Sequence, residues 1–429
     1  MFLIKFNEAN FDLIKKYIKK YPNLKALNEI VSNFNEIETV AEDKYENLEP
    51  WIQWASFQSG MSFDQHKVFH LGESKSLVNK GLYYDLANTH RVGIFGLMNH
   101  PPVDNAKYYI PDPWSTYQSD PSVASRATHK VLKILINNNS LLKSPLKIFK
   151  DFFIFFYSIH SNKKYKIIFL SLIAFIKRDR ALLASYFDSL FLLYGISKHR
   201  SEKLHLSGLF VNGFAHVQHH FMLSSEFYAT NNPTWYVKKG DDPVLKSLKV
   251  YDEIFQEVLD LKIEFSLITG LTQEPFKKPI IYWRFINHKR LLKHFLDIDF
   301  ECIPRMTRDF HLTFKTDDDA KKALDILNLV KIKDQDVYSN AFGYFDLNGK
   351  ELFMSFIYSS ENQDVHMILD DVSVPIKNEI VFVAIKNGGH NSKGWAYVPR
   401  NMISNKLDQP IQIWNLGNFF NNHISSIKN

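Results

Sequence analysis

At 429 residues, with 45% hydrophobic and 15% aromatic side chains, the chain can hold one large domain or two ordinary ones and is too apolar for general disorder. Its single cysteine, Cys302, excludes an internal disulfide and a thiolate metal cluster, and points to a reducing, cytoplasmic setting. The net charge of +6 favours anionic partners, but no basic block interleaved with aromatics argues for nucleic acid.

The opening Met1-Phe2-Leu3-Ile4-Lys5-Phe6 lacks the basic start, longer apolar stretch and cleavage site of a signal peptide and reads as a first β-strand. Phe11, Ile14, Ile18 and Tyr21 then recur at helical spacing. Further helices are expected over 50–60, ended by Gly60, and over 75–89, with a strand at 91–96. Strand, helix and strand in alternation argue for an α/β sandwich with a mainly parallel sheet.

The stretch 141–197 differs, being rich in Phe, Leu, Ile and Lys. Its apolar run from Ile167 to Ile176 is too short to span a bilayer. It reads either as a helical cap over the active-site face, which its length favours, or as two interfacial helices making a peripheral membrane contact through 145–178. Strands follow at 206–214 and 263–270. Residues 297–378 read as a small α+β insert with a strand at 310–315, a helix at 318–329, and strands near 341–346 and 351–357 joined at Asn348-Gly349, a hairpin signal. The α/β core is accordingly expected at 1–140, 198–296 and 379–429.

The densest chemical signal is His216-Val217-Gln218-His219-His220. His216 and His220 share a face if the segment is helical. Neutral imidazoles are common ligands of zinc and similar ions. His390, in Asn387-Gly388-Gly389-His390, follows the apolar run 379–385 and is expected in a loop at the end of a buried strand, where α/β folds place their sites. A histidine pair at this spacing is also common as surface decoration. Arg305 and Arg308, where the insert begins, read either as an anion clamp or as a structural Arg–Asp network.

Five segments in order resemble the alkaline phosphatase superfamily, in particular its nucleotide pyrophosphatase/phosphodiesterase and sulfatase-like branches. They are the opening strand through Asn7-Glu8, the stretch Trp54 to His66 with Ser59-Gly60, the Pro-rich segment from Phe95 to Pro113, the His216 cluster, and Lys386-Asn387-Gly388-Gly389-His390 with Gly394 after it. The resemblance implies a three-layer α/β sandwich with a mostly parallel central sheet, a helical cap and a small α+β insert. It also implies phosphoryl or sulfuryl transfer assisted by a divalent metal, zinc foremost with manganese or calcium as alternatives. The substrate would be an anionic small molecule or glycan-linked ester.

Carried over residue by residue, the resemblance is incomplete. The first metal-binding Asp of the family aligns with Asn7, with Glu8 beside it as an oxygen ligand; the pair also reads as a helix N-cap. No hydroxyl stands at the nucleophile position, which falls on Pro50 with Glu49 before it and Trp51 after it. The Asp-His pair of the second metal site is replaced by Gly270-Leu271. The D-x-x-x-H motif aligns best as His216 with His220; if His219 is the partner, Ala215 takes the Asp place. The expectation is therefore a reduced metal site of His216, His220 and His390, with His219 adjacent. Glu8 and Glu49 are the catalytic carboxylates, and Asn7, Arg305 and Arg308 hold the substrate. A catalytically inactive binding or assembly protein on the same fold is the alternative.

Overall fold

The computed structural model describes residues 1–42, 48–137, 145–305, 307–403 and 410–426. The chain divides into two compact units, the first made of Met1–Ala229, Pro233–Pro275 and Gly388–Asn429, the second of Thr230–Asn232 and Phe276–Asn387. Residues 141–144 of the expected cap lie outside the described residues. The other helices of that stretch belong to the first unit.

In chain order the strands are β1 (Phe2–Phe6), β2 (Asn35–Val40), β3 (Val92–Leu97), β4 (Tyr108–Pro111), β5 (Leu206–Val211), β6 (Phe265–Ile268), β7 (Thr272–Phe285), β8 (Phe300–Pro304) and β9 (Asp309–Phe314). They continue with β10 (Lys331–Asp334), β11 (Val337–Asn340), β12 (Phe342–Asn348), β13 (Glu351–Phe356), β14 (His366–Leu369), β15 (Val372–Pro375), β16 (Ile380–Asn391), β17 (Lys393–Val398) and β18 (Ile411–Gln412). The helices are α1 (Phe11–Lys20), α2 (Lys25–Asn33), α3 (Pro50–Ser59), α4 (Phe63–His66), α5 (Leu82–Ala87), α6 (Val123–Asn137) and α7 (Pro145–Tyr157). After these come α8 (Lys163–Ile176), α9 (Arg180–Ser201), α10 (Gly213–Phe221), α11 (Pro243–Asp260), α12 (His288–Leu292), α13 (Asp317–Leu329) and α14 (Ile413–Ser426).

The first unit is built on an eight-stranded sheet in the order β18-β2-β17-β6-β1-β5-β3-β4. β1 pairs in parallel with β5 and β6, β3 with β5 and β4, and β2 with β18, while β17 runs antiparallel to both its neighbours. β1 is apolar at nearly every position because both of its faces are covered. Phe2, Ile4 and Phe6 enter the core beneath α1, α9, α10 and α11; Leu3 enters the opposite core, beneath α3, α5 and α14. Lys5 also points to the second side, where its ammonium sits 4.9–5.4 Å from the ring centres of Trp54, Phe57 and Tyr83 and donates to Gln58 Oε1 at 2.8 Å. Burial drives its pKa well below the usual lysine range.

Two expectations change. The helix expected over 75–89 is a short 3-10 turn, Lys75–Leu77, followed by α5. The break is Gly81, at φ +88, where a Cβ would lie 2.0 Å from the Gln58 carbonyl oxygen. His390 stands inside β16 rather than in a loop, and β16 pairs with β7 in a two-stranded ribbon rather than joining the central sheet. Gly388 serves close packing instead of a turn, since a Cβ on it would lie 2.8 Å from the Glu274 carbonyl oxygen.

The second unit contains two four-stranded sheets, β12-β13-β9-β8 and β11-β10-β14-β15. Its aromatic core includes Phe285, Phe310, Phe342 and Phe356, with Phe285 and Phe356 ring centres 4.4 Å apart. The Asn348-Gly349 hairpin forms as the sequence implies, with Asn348 opposite Glu351.

α10 is anchored from below. Asp188, buried on α9, accepts from the Gly213 N–H and the Tyr251 hydroxyl, each at 2.6 Å through the same Oδ2. Burial raises its pKa to about 7, despite the hydrogen bonds that favour the charged form. The folded state therefore binds this proton more tightly than the unfolded one, and stability falls as pH rises from about 4 to 7, by up to about 1.4 kcal/mol per pH unit from this group. Asp188→Asn keeps an acceptor oxygen in place and should remove that slope. Denaturant melts of both proteins across this range check it; an unchanged slope would assign the pH dependence elsewhere.

Candidate metal centre

The carboxyl ends of β1, β5 and β6 are level, with Phe6 opposite Val211 and Lys5 opposite Ile268. The residues that follow, Asn7-Glu8, Asn212-Gly213 and Thr269-Gly270, therefore emerge together, as expected for a site in a parallel sheet. Glu8 adopts φ +56, a left-handed conformation uncommon for a glutamate, and its N–H donates to the Thr269 carbonyl at 3.0 Å. That turn sends its side chain inward, where the residue is 2% exposed.

Glu8 Oε2 lies 3.0 Å from His219 Nε2 and 3.3 Å from His390 Nε2. Oε1 accepts from the Asn7 amide at 2.8 Å, and Oε2 also accepts from the Gln273 amide. Burial raises the pKa of this carboxyl, but His390 and His219 outweigh that and hold it well below the usual carboxylate range. The Asn7 amide also donates to Asn212 Oδ1, and Asn7 Oδ1 accepts from the Trp54 indole, each at 2.7 Å. Gln218 clamps the turn from α10, donating to the Glu8 carbonyl at 2.7 Å and accepting from the Asn10 N–H at 2.9 Å. Asn10, rather than Asn7 or Glu8, caps α1.

The other side of His390 fixes its tautomer. Nδ1 is 2.9 Å from the Leu48 carbonyl, which can only accept, so Nδ1 carries the hydrogen. Glu49 Oε2 stands 3.4 Å from the same nitrogen. A protonated ring would face Glu8 with an Nε2–H, and a neutral one would offer the Nε2 lone pair to a cation held between the two groups. A carbonyl or carboxylate behind the ring is the usual arrangement of a metal-ligating histidine.

Among the described residues, Glu8, His219 and His390 are the group that could hold a metal ion, each offering one donor atom within 4.8 Å of the others. Donors around a tetrahedral zinc at about 2.0–2.1 Å sit roughly 3.3 Å apart, close to the two Glu8–histidine separations. One carboxylate oxygen and two imidazoles are a donor set that suits a divalent cation.

The geometry revises the expected ligands. His219, not His216 or His220, meets His390, with ring centres 5.3 Å apart. His216 and His220 do share a face and pack together, ring centres 4.5 Å apart, but that face lies opposite the buried Phe214, Val217 and Phe221. Glu8 stands in the cluster with His219 and His390, and Glu49 lies behind the His390 ring. Arg305 and Arg308 belong to the second unit. There Arg305 Nη2 is 3.4 Å from His311 Nδ1, and the Arg308 guanidinium lies 4.2 Å from the Tyr282 ring centre. Ser56 is bonded to His66 Nε2 at 2.9 Å inside the α3 packing, and burial lowers the pKa of that histidine to about 4. Sequence reasoning missed Gln218 and Gln273; the only signal for Gln218 was a polar residue on the apolar face of α10.

No protein-family model matches the chain, and no curated protein matches it. Solved structures similar to it include phosphonoacetate hydrolase from Sinorhizobium meliloti 1021, at 10% identity and TM-score 0.43, covering 99% of this chain and 95% of that one. Murine ectonucleotide pyrophosphatase/phosphodiesterase 5 matches at 10% identity and TM-score 0.41 with the same coverage. Wild-type alkaline phosphatase PafA matches at 9% identity and TM-score 0.43, covering 97% of this chain and 94% of that one. At such scores the likeness carries no argument about chemistry, which rests on the residues themselves.

Trp54→Phe removes the donor to Asn7 Oδ1 and leaves a buried acceptor unsatisfied. It should cost about 1–3 kcal/mol of stability. Denaturant midpoints check this; a neutral result would mean that Asn7 is held without the indole.

Proposed function

We propose that the chain is a metal-dependent hydrolase or transferase acting on a phosphate or sulfate ester of an anionic metabolite. The observation that carries this reading is the convergence of Glu8, His219 and His390, with His390 fixed from behind by Leu48 and Glu49. A divalent cation held there would act as a Lewis acid and lower the pKa of water at neutral pH.

The chain's own residues supply the rest. Glu8 contributes a full negative charge; positive charge on His219 and His390 keeps it ionised when no cation is bound, and a bound cation would take over that role as the rings become neutral. Asn7 and Gln273 hold its two oxygens, so the carboxylate is already oriented before any ligand arrives. The Leu48 carbonyl holds the hydrogen of His390 at Nδ1 and leaves Nε2 as the donor.

A second reading, a non-catalytic relative that retains the cluster, is favoured by one observation. α3 begins with Pro50 at its first position after Glu49, which offers no hydroxyl nucleophile, and β6 leads into Thr269-Gly270-Leu271, which offers no acidic ligand and whose one hydroxyl, on Thr269, is bonded to the Trp395 backbone.

Elemental analysis of the purified protein should find stoichiometric divalent metal. Glu8→Gln, His219→Ala and His390→Ala should each lose it, whereas His216→Ala and His220→Ala should retain it. Unchanged metal in a His219→Ala/His390→Ala double variant would reject the centre. Glu49→Ala should weaken metal affinity by roughly 10- to 100-fold, as loss of a supporting carboxylate does elsewhere. Turnover of nitrophenyl phosphomonoester, phosphodiester or sulfate that disappears with the metal supports the enzyme. Bound metal without turnover on any of the three supports the second reading.

A further inference from the structure

α7, which packs on α6, and α8, which packs on α9, follow one another through a short turn, and the inner sides of both join the core of the first unit through Phe155, Ile167 and Ala174, with Ile159 of the turn. Their outer sides, which should be polar on helices facing water, are apolar as well. On α7, Phe149, Phe153 and Tyr157 follow one another at four-residue spacing and are all exposed. On α8, Tyr165, Phe169, Leu172 and Ile176 make a second exposed stripe. Exposure along the two stripes runs from 57% at Leu172 to 79% at Ile176. A contiguous run of large apolar side chains at this exposure marks an interaction surface.

The turn is also locked. The buried Lys164 amine donates to the Phe156 and Ile159 carbonyls at 3.2 and 2.6 Å, satisfying acceptors at the carboxyl end of α7. The Phe156 and Tyr165 rings meet edge to face across the turn, 5.6 Å apart. The turn between the two helices is therefore fixed, and α6 and α9 hold each helix from its inner side.

Charge identifies the occupant. Of the six basic side chains in residues 149–178, Lys164 is buried and Lys163 and Lys166 pair with Glu257 and Glu253 of α11, while the single acid, Asp151, pairs with Lys130 at 3.8 Å. Lys150, Lys177 and Arg178 are exposed beside the apolar stripes. A second copy of the same face would bring like charges together, which disfavours a symmetric dimer. An anionic lipid surface satisfies both features, taking the aromatic and aliphatic side chains into the headgroup boundary and the cations onto phosphates. Neither helix can cross a bilayer, since among the described residues no helix is long and apolar enough.

We propose that the outer faces of α7 and α8 dock the protein, lying flat, on the surface of an anionic lipid bilayer. The test is flotation of the full chain with phosphatidylcholine vesicles, with and without phosphatidylglycerol. The wild type should float with the mixed vesicles and only weakly with phosphatidylcholine alone. Phe153→Ser/Phe169→Ser/Ile176→Ser should reduce binding by at least about a hundredfold, because each exposed apolar side chain loses its burial in the lipid. Its melting temperature should be unchanged, because these side chains face outward. Lys177→Glu/Arg178→Glu should lower binding to the mixed vesicles by roughly tenfold or more, with the wild-type difference shrinking in high salt. Absence of wild-type binding to mixed vesicles would overturn the proposal, as would unchanged binding by the apolar variant. A concentration-dependent dimer of the wild type, lost in the apolar variant without any vesicle binding, would instead assign the face to a second copy and also overturn it.

Discussion

The site depends on one ionised carboxylate held where water does not reach it. Glu8 sits at the tip of β1 in a left-handed conformation, 2% exposed, with an imidazole from each of two distant segments against the same oxygen. An isolated carboxyl in that position would take up a proton. The two histidines and the amides of Asn7 and Gln273 keep it charged, and every element around it exists to deliver one of those groups. α10 brings His219, β16 brings His390 and β7 brings Gln273. Asp188 anchors the start of α10 from the helix beneath, so the reach of His219 is set by a group well inside the core.

Much of the fold was legible because burial on both faces leaves a plain mark. β1, α1, α3, β3 and the Asn348-Gly349 hairpin follow from apolar runs, helical spacing and turn residues. The site was legible in its parts and misread in its assembly. The i, i+4 pair His216 and His220 matched a familiar ligand spacing, but Phe214, Val217 and Phe221 already define the buried side of α10 and put that pair on the other side. His219 also lies away from that apolar side, so the helical pattern alone does not choose among the three histidines; contact with Glu8 and His390 does. The Gly388-Gly389 pair misled for a similar reason. Glycine signals a turn or a close backbone approach with equal force, and only the partner strand decides between them.

The pair α7 and α8 shows another limit of reading composition. Helices apolar on most sides look like buried helices, and the sequence alone permits a cap or a lipid-facing surface. The structure gives the two sides different work: one closes the first unit, and the other is left apolar and bordered by lysine and arginine. Which side faces out depends on contacts with α9 and the core, which no local pattern encodes.

Trp54 belongs to two networks at once. Its ring forms a wall of the aromatic box around the Lys5 ammonium, and its indole N–H fixes Asn7, which in turn holds Glu8. Sheet stability and ligand orientation therefore run through a single side chain. Selection acting on either property at this position would carry the other with it, and neighbours in the box inherit the same double constraint.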